Sequence, residues 1–354
     1  MKRYITLIAA GLMLGYGVNS NAQDIHFSQF YENAILRNPA LTGIFTEDYK
    51  VGVDYRSQWA EISPYNTTMV SAETRILVNR EVGDYLSFGL VATFDKAGSI
   101  NFASQQIYPA IAYNKAIDDE HNSYLSVGLT GGYIARSVDM SLMTFSSQFL
   151  DGRFNAANPT GENAAFKSLN NFDVGAGISL NSSLDLNGRD NYYIGASAYH
   201  INSPTEIFNG GYVLVKLPIK WQLSAGLHLP LSEKFSLSVQ ANYSIQRPYS
   251  EFIAGGYFTW RSMPPGLPSI FAFSFGAFVR ARDAFIPTVR VDYKNISVGF
   301  SDDIVNSSLA TGAGGASAKE FTLYLKGHYN HKNDPRDPLM CPRNPRFEES
   351  VSGF

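Results

Sequence analysis

The sequence predicts an all-β protein: a closed antiparallel transmembrane β-barrel of roughly 14 strands, with an N-terminal periplasmic segment and a C-terminal tail. Three observations carry this expectation. An export signal is followed by no membrane helix, the composition is rich in aromatics and glycine, and strand-like alternation runs longer than in soluble strands.

Lys2 and Arg3 precede an apolar run, residues 5–18, of signal-peptide length. Ser20, Asn21 and Ala22 then supply small residues where a signal peptidase needs them, so residues 1–22 are expected to be removed. No cysteine lies near that site to take a lipid anchor. Beyond it no apolar stretch approaches the roughly 18 residues of a spanning helix. The chain has 24 Phe, 21 Tyr and 30 Gly, and only 17% charged residues, against about 25% in soluble domains. A formal net charge of −3 argues against nucleic acid as a partner. Cys341 is the single cysteine, so no internal disulfide holds this exported chain together. The competing class is a secreted β-sandwich.

Alternation favours the barrel. In residues 235–246, Phe235, Leu237, Val239, Ala241, Tyr243 and Ile245 share one face, and Ser and residues such as Gln240 and Asn242 share the other. Residues 220–229 repeat the pattern with Trp221, Leu223, Ala225, Leu227 and Leu229. A tilted membrane strand needs about 9–11 residues with apolar side chains turned to lipid. Such segments begin near Tyr49, Tyr65, Tyr85, Phe102, Asn122, Phe172, Tyr192, Leu217, Phe235, Phe252, Ile270, Phe285, Ile296 and Lys319. Aromatics recur at segment ends, among them Tyr49, Trp59, Tyr65, Tyr85, Tyr133, Tyr249, Trp260, Tyr293 and Tyr329, as expected of interfacial girdles. Because lipid offers no hydrogen bonds, the last strand is expected to pair with the first. The inward face, including Lys220, Gln222, Gln240, Asn242, Arg290 and Asp292, suits a wet lumen.

The segments outside the strands divide the chain into residues 23–48, the barrel at 49–329 and a tail at 330–354. An even strand count puts both termini on the periplasmic side. The longest break, residues 139–171, follows an odd-numbered strand and is therefore expected outside the cell. The opening segment, residues 26–43, has neither a helical nor a strand period. Its aromatics Phe27, Phe30 and Tyr31 are expected to bury at the periplasmic mouth. Asn38-Pro39 favours an extended break and Thr42-Gly43 a turn. Two roles stay open for it: a plug without a partner, or a docking site for periplasmic machinery.

The residues resemble the PorP/SprF family of the Bacteroidetes type IX secretion and gliding machinery. The resemblance rests on "HFSQFYENAILRNPALTG" at the start, "VDYRSQW" in the first strand, "SSQFLDGRF…NPTGE" in the long loop, "ASAYHINSPTEIF", "DAFIPTVRVDY", and "MCPRNPRF" near the end. The chain departs from the family pattern at Phe300-Ser301-Asp302-Asp303 and in running past the closing Cys-Pro element. The resemblance implies an outer-membrane barrel of a Gram-negative, Bacteroidetes-like cell, needed to secrete or attach cargo such as gliding adhesins. Its implied partners are adhesin-like cargo or its C-terminal domain, periplasmic secretion components and outer-membrane lipid. Partner contacts are expected at Phe27, Phe30, Tyr31, Asn38, Pro39, Thr42 and Gly43, at Gln148, Asp151, Pro159 and Glu162 in the long loop, and at Cys341 and Pro342 in the tail.

Other chemistry finds less support. The six histidines show no Ser-His-acid spacing and no His pair suited to a metal, so neither enzyme activity, metal nor cofactor is expected. The alternative function is a FadL-like or porin-like transport channel.

Overall fold

In the computed structural model, residues 24–45, 47–59, 64–79, 82–98, 100–118, 121–139, 142–150, 152–160, 168–185, 190–208, 213–262, 270–306 and 317–329 are described. The expected signal peptide, the tail with Cys341 and Pro342, and the loop residues Asp151 and Glu162 lie outside them.

Fourteen strands close into one antiparallel barrel. They are β1 (Tyr49–Gln58), β2 (Tyr65–Asn79), β3 (Asp84–Ala97), β4 (Phe102–Asp118), β5 (Ser123–Ser137), β8 (Ser168–Ser183), β9 (Asn191–Tyr199), β12 (Lys220–Pro230), β13 (Phe235–Gln246), β14 (Tyr249–Arg261), β15 (Phe271–Arg280), β16 (Ala284–Tyr293), β17 (Ile296–Val305) and β18 (Ser317–Gly327). Two small hairpins stand apart from the barrel: β6 (Phe149–Leu150) with β7 (Arg153–Phe154), and β10 (Thr205–Phe208) with β11 (Val213–Lys216). The second replaces part of what the sequence suggests is a plain Gly-rich connection.

Closure follows the expected pairing. β1 and β18 run antiparallel from Tyr49 opposite Gly327 to Gln58 opposite Ala318. Each backbone group in that seam finds a partner, as hydrocarbon requires. Two ladders are interrupted beside prolines, which lack the N–H to continue them. The β4–β5 register skips Pro109, and the β16–β17 register skips Pro287. The barrel has a turn end, where β1 begins and β18 finishes, and a loop end. The loop end carries the long stretch between β5 and β8 and the β10–β11 hairpin.

Outward side chains match the expected face: Leu237 is half-buried, while Phe235, Val239 and Tyr243 are exposed. Tyr85 departs from the expected girdle. It points inward, buried with Tyr124 and Ala116, because its strand begins at Asp84, which puts position 85 on the lumen side. The larger correction concerns the lumen. It is packed and dry over much of its height, not wet. Gln222, Gln240, Asn242, Arg290 and Asp292 are all buried there. Gln240 accepts a 2.5 Å hydrogen bond from the Tyr193 hydroxyl.

A charge placed on the lipid face tests this assignment. Val239→Arg should cost about 2–4 kcal/mol if the position sits near the bilayer midplane. The yield of heat-modifiable, folded barrel should fall accordingly, whereas Val239→Leu should leave it unchanged.

Candidate functional site: a latched segment in the lumen

The filling of the lumen is the chain's own residues 24–45. The backbone there forms three short turns, Phe30–Glu32, Ala34–Arg37 and Pro39–Leu41. Asn38 starts the last of them. Its Oδ1 accepts from Ala40 N–H at 2.9 Å, and Pro39 follows at the first helical position. Its Nδ2 reaches the barrel wall and donates to the carbonyls of Ile178 and Ala196. The wall makes room with glycine: a Cβ on Gly128 would overlap Pro39–Ala40, and one on Gly177 would overlap Asn38.

The segment enters lower in the fold than it ends. Asp24 sits at the loop end, against His200, Lys220 and Gln246. From there the chain descends along β17, β18 and β1. It then crosses to β8, β9 and β12, and reaches β2 and β3 at the turn end. At the crossing, Ser197 donates to the Arg37 carbonyl, Tyr199 to that of Ile35, and Gln222 to that of Leu36. At the turn end, Glu73 accepts from Gly43 N–H at 2.9 Å and Arg75 donates to the Phe45 carbonyl.

Two apolar clusters grip the segment. Phe27 and Ile35 pack with Met69, Val91, Tyr108 and Ile134. Phe30 and Tyr31 pack with Ile253, Tyr257, Phe278 and Ile286, with Phe278 ring centroids 5.5 and 5.0 Å away. Each such side chain fully buried contributes roughly 1.5–3 kcal/mol.

Between these clusters lies a charged latch. Arg56 is 2.7 Å from Asp303 and 3.3 Å from Glu320. Arg280 is 2.8 Å from Asp303. Ser28 ties them to the segment. Its hydroxyl donates to Asp303 and accepts from Arg56 and Arg280, which uses its one donor and both lone pairs. The backbone N–H groups of Ser28 and Gln29 both donate to the Glu320 carboxylate at 2.7 Å. A step lower, Glu32 accepts from Arg290 at 2.8 Å, and its carbonyl accepts from Lys50. Arg56 and Glu320 are at most 1% exposed. Charges buried so deeply persist only when paired and hydrogen-bonded.

All seven residues expected to meet partners in the opening segment are thus engaged with the barrel interior. The segment is not confined to one mouth but runs from end to end. In the long loop, Gln148 is buried and organises its own neighbourhood: its carbonyl accepts from Asn155 N–H and its side chain donates to the Ala156 carbonyl. Pro159 lies on the same loop, half-buried. The latch residues Ser28, Arg56, Arg280, Asp303 and Glu320 were not singled out from the sequence. Their signal was present: Arg56 and Glu320 fall on the inward phase of their strands, where a charge needs a counter-charge.

A closed antiparallel barrel in which an N-terminal segment fills the lumen defines a plugged outer-membrane β-barrel protein. The family model for the type IX secretion system membrane protein PorP/SprF matches residues 19–323, and the chain belongs to that family. The match includes the lumen segment and ends within β18, short of Cys341 and Pro342. A Pseudomonas aeruginosa FadL homologue superposes with a TM-score of 0.50 at 9% identity, over 82% of this chain and 93% of that one. The Ralstonia pickettii toluene transporter TbuX gives 0.49 at 10% identity, over 83% and 93%. These likenesses are of fold. A comparison with curated proteins found no match. The family and the barrel place the chain in the outer membrane, as a secretion or transport component rather than an enzyme.

Two measurements test the site. Arg56→Met leaves Asp303 and Glu320 short of a counter-charge, a loss on the order of 3–5 kcal/mol for a broken buried pair. Its unfolding midpoint should fall well below that of Ser57→Met, one residue along the same strand. The second concerns the loop end, where His200 lies 2.7 Å from Asp24 and 2.8 Å from Asp173. Burial pushes the imidazole down, but the Asp24 and Asp173 carboxylates outweigh it and raise its pKa from 6.5 to about 9. Its contribution is therefore full below pH 6.5 and lost as pH rises through about 9. The midpoint should drop over that window in the native chain and stay flatter in His200→Gln.

Proposed function

We propose that this outer-membrane component of type IX secretion supports the secretion or surface attachment of adhesin-like cargo as a plugged scaffold, with cargo passing elsewhere. The observation that carries this reading is the lumen segment latched by Ser28 to Arg56, Asp303, Glu320 and Arg280. A barrel filled in this way offers its ends, not its interior, to partners. In this reading the loop end faces outward. The β6–β7 hairpin, with Phe149, Leu150 and Phe154 exposed and Gln148 bracing its base, would meet the cargo or its C-terminal domain. The turn end and the tail with Cys341 and Pro342 would meet periplasmic secretion components. The alternative, a FadL-like or porin-like channel, needs the segment to leave the lumen.

Deleting residues 146–162 in the native cell tests the scaffold reading. Barrel abundance should be unchanged, because the loop adds nothing to the closed hydrogen-bonded cylinder. Surface display of cargo, and its recovery with the barrel in detergent pull-downs, should fall several-fold. Normal display at normal abundance would remove the loop from the account.

A further inference from the structure

The lumen cations Arg56, Arg280, Arg290 and Lys50 each face a carboxylate. Arg37 does not. Its side chain is buried, at 7% exposure. Its Nη1 donates to the Tyr193 hydroxyl at 2.6 Å and its Nη2 to the Tyr31 carbonyl at 3.5 Å. Its guanidinium lies 5.5 Å from the Phe30 ring and 5.7 Å from that of Tyr193. Its Nε is buried and has no hydrogen-bond partner. Among the described residues, no carboxylate pairs with it.

This guanidinium borders a half-open cavity of about 600 Å³ in the turn-end half of the lumen, between the segment and the wall. Other charges around the cavity cancel: Lys50 is 3.3 Å from Glu73. His228 lies across the cavity, with its Nδ1 3.0 Å from the Ser238 hydroxyl. Tyr31, Leu41, Ile44 and Phe45 supply an apolar flank. A buried cation without a counter-ion is costly, and a ligand that supplies one recovers that cost.

We propose that the cavity is a binding site for a carboxylate carried on a compact apolar body. One negative charge balances the single uncompensated cation, whereas a phosphate dianion would over-balance it. The free Nε gives the edge-on geometry in which arginine takes a carboxylate with two parallel hydrogen bonds. The apolar body lies against Tyr31 and Phe45. The site stands apart from the latch and does not depend on the cargo reading. The carboxylate has two possible sources, a small soluble acid or an acidic side chain beside an aromatic one. Phe347-Glu348-Glu349, in the chain beyond β18, is a segment of the second kind.

Calorimetry on the purified full-length chain tests the site, with 3-phenylpropionate as the probe and 3-phenylpropanamide as its neutral counterpart. The acid should bind and the amide should not. Arg37→Gln should lose at least ten-fold in affinity, and Arg37→Lys, which keeps the charge without the fork, should fall between. Folding is checked by heat-modifiable migration. Arg37→Gln removes an unpaired charge, so it should migrate as the native barrel does, and Arg37→Lys keeps the test decisive if it does not. If the native chain fails to bind but the Glu348→Gln, Glu349→Gln variant binds, the chain's own carboxylate holds the site. No binding in either chain, or equal binding in Arg37→Gln and the native protein, would overturn the proposal.

Discussion

Everything in this barrel depends on the pairing of charges buried in its lumen. Strand alternation sends every second residue inward, and here those residues include Arg56, Arg280, Arg290, Asp303 and Glu320. A wide, water-filled barrel would leave such groups solvated. This one surrounds them with protein, so each needs a partner of opposite sign or a hydrogen-bond donor. The N-terminal segment supplies part of what is missing. Ser28 and Gln29 satisfy Glu320 with two backbone N–H groups, and Glu32 gives Arg290 a counter-charge. The segment is therefore part of the barrel's interior rather than an appendage to it.

That dependence connects folding to function. Asp24 stands at the loop end and β1 begins at the turn end, so the segment spans the lumen before the cylinder starts. The seam between β1 and β18 closes a barrel that contains its own leading residues. Removing the segment would expose the clusters around Tyr108 and Phe278 as well as the latch, a large cost for opening a path. The energetics favour a stable scaffold whose two ends are available to partners. The family match, which includes the segment, is consistent with its being integral to the fold.

Much of this architecture was legible in the sequence. Period-two alternation placed every barrel strand start within four residues of its observed position, because one face of each strand must meet lipid. The closing pair was legible for the same reason, since an open edge cannot stand in hydrocarbon. The fate of the inward face was not. Polar residues such as Gln240 and Arg290 read alike whether they meet water or a buried segment, and alternation cannot separate the two. Phe27, Phe30 and Tyr31 could be read as burying, but not where: their partners Ile253, Phe278 and Tyr108 are far away in sequence. Tyr85 fell on the wrong face because a shift of one residue in strand phase reverses every side chain. Ser28 carried no signal of its own, since a serine shows its three hydrogen bonds only once its neighbours are in place.

The central claim is that the lumen is closed by the chain's own residues 24–45. Conductance of the purified full-length protein in planar bilayers measures this most directly. A latched lumen predicts no sustained current above the bare-bilayer baseline at neutral pH. A steady, ohmic conductance of porin size from the native chain would contradict it.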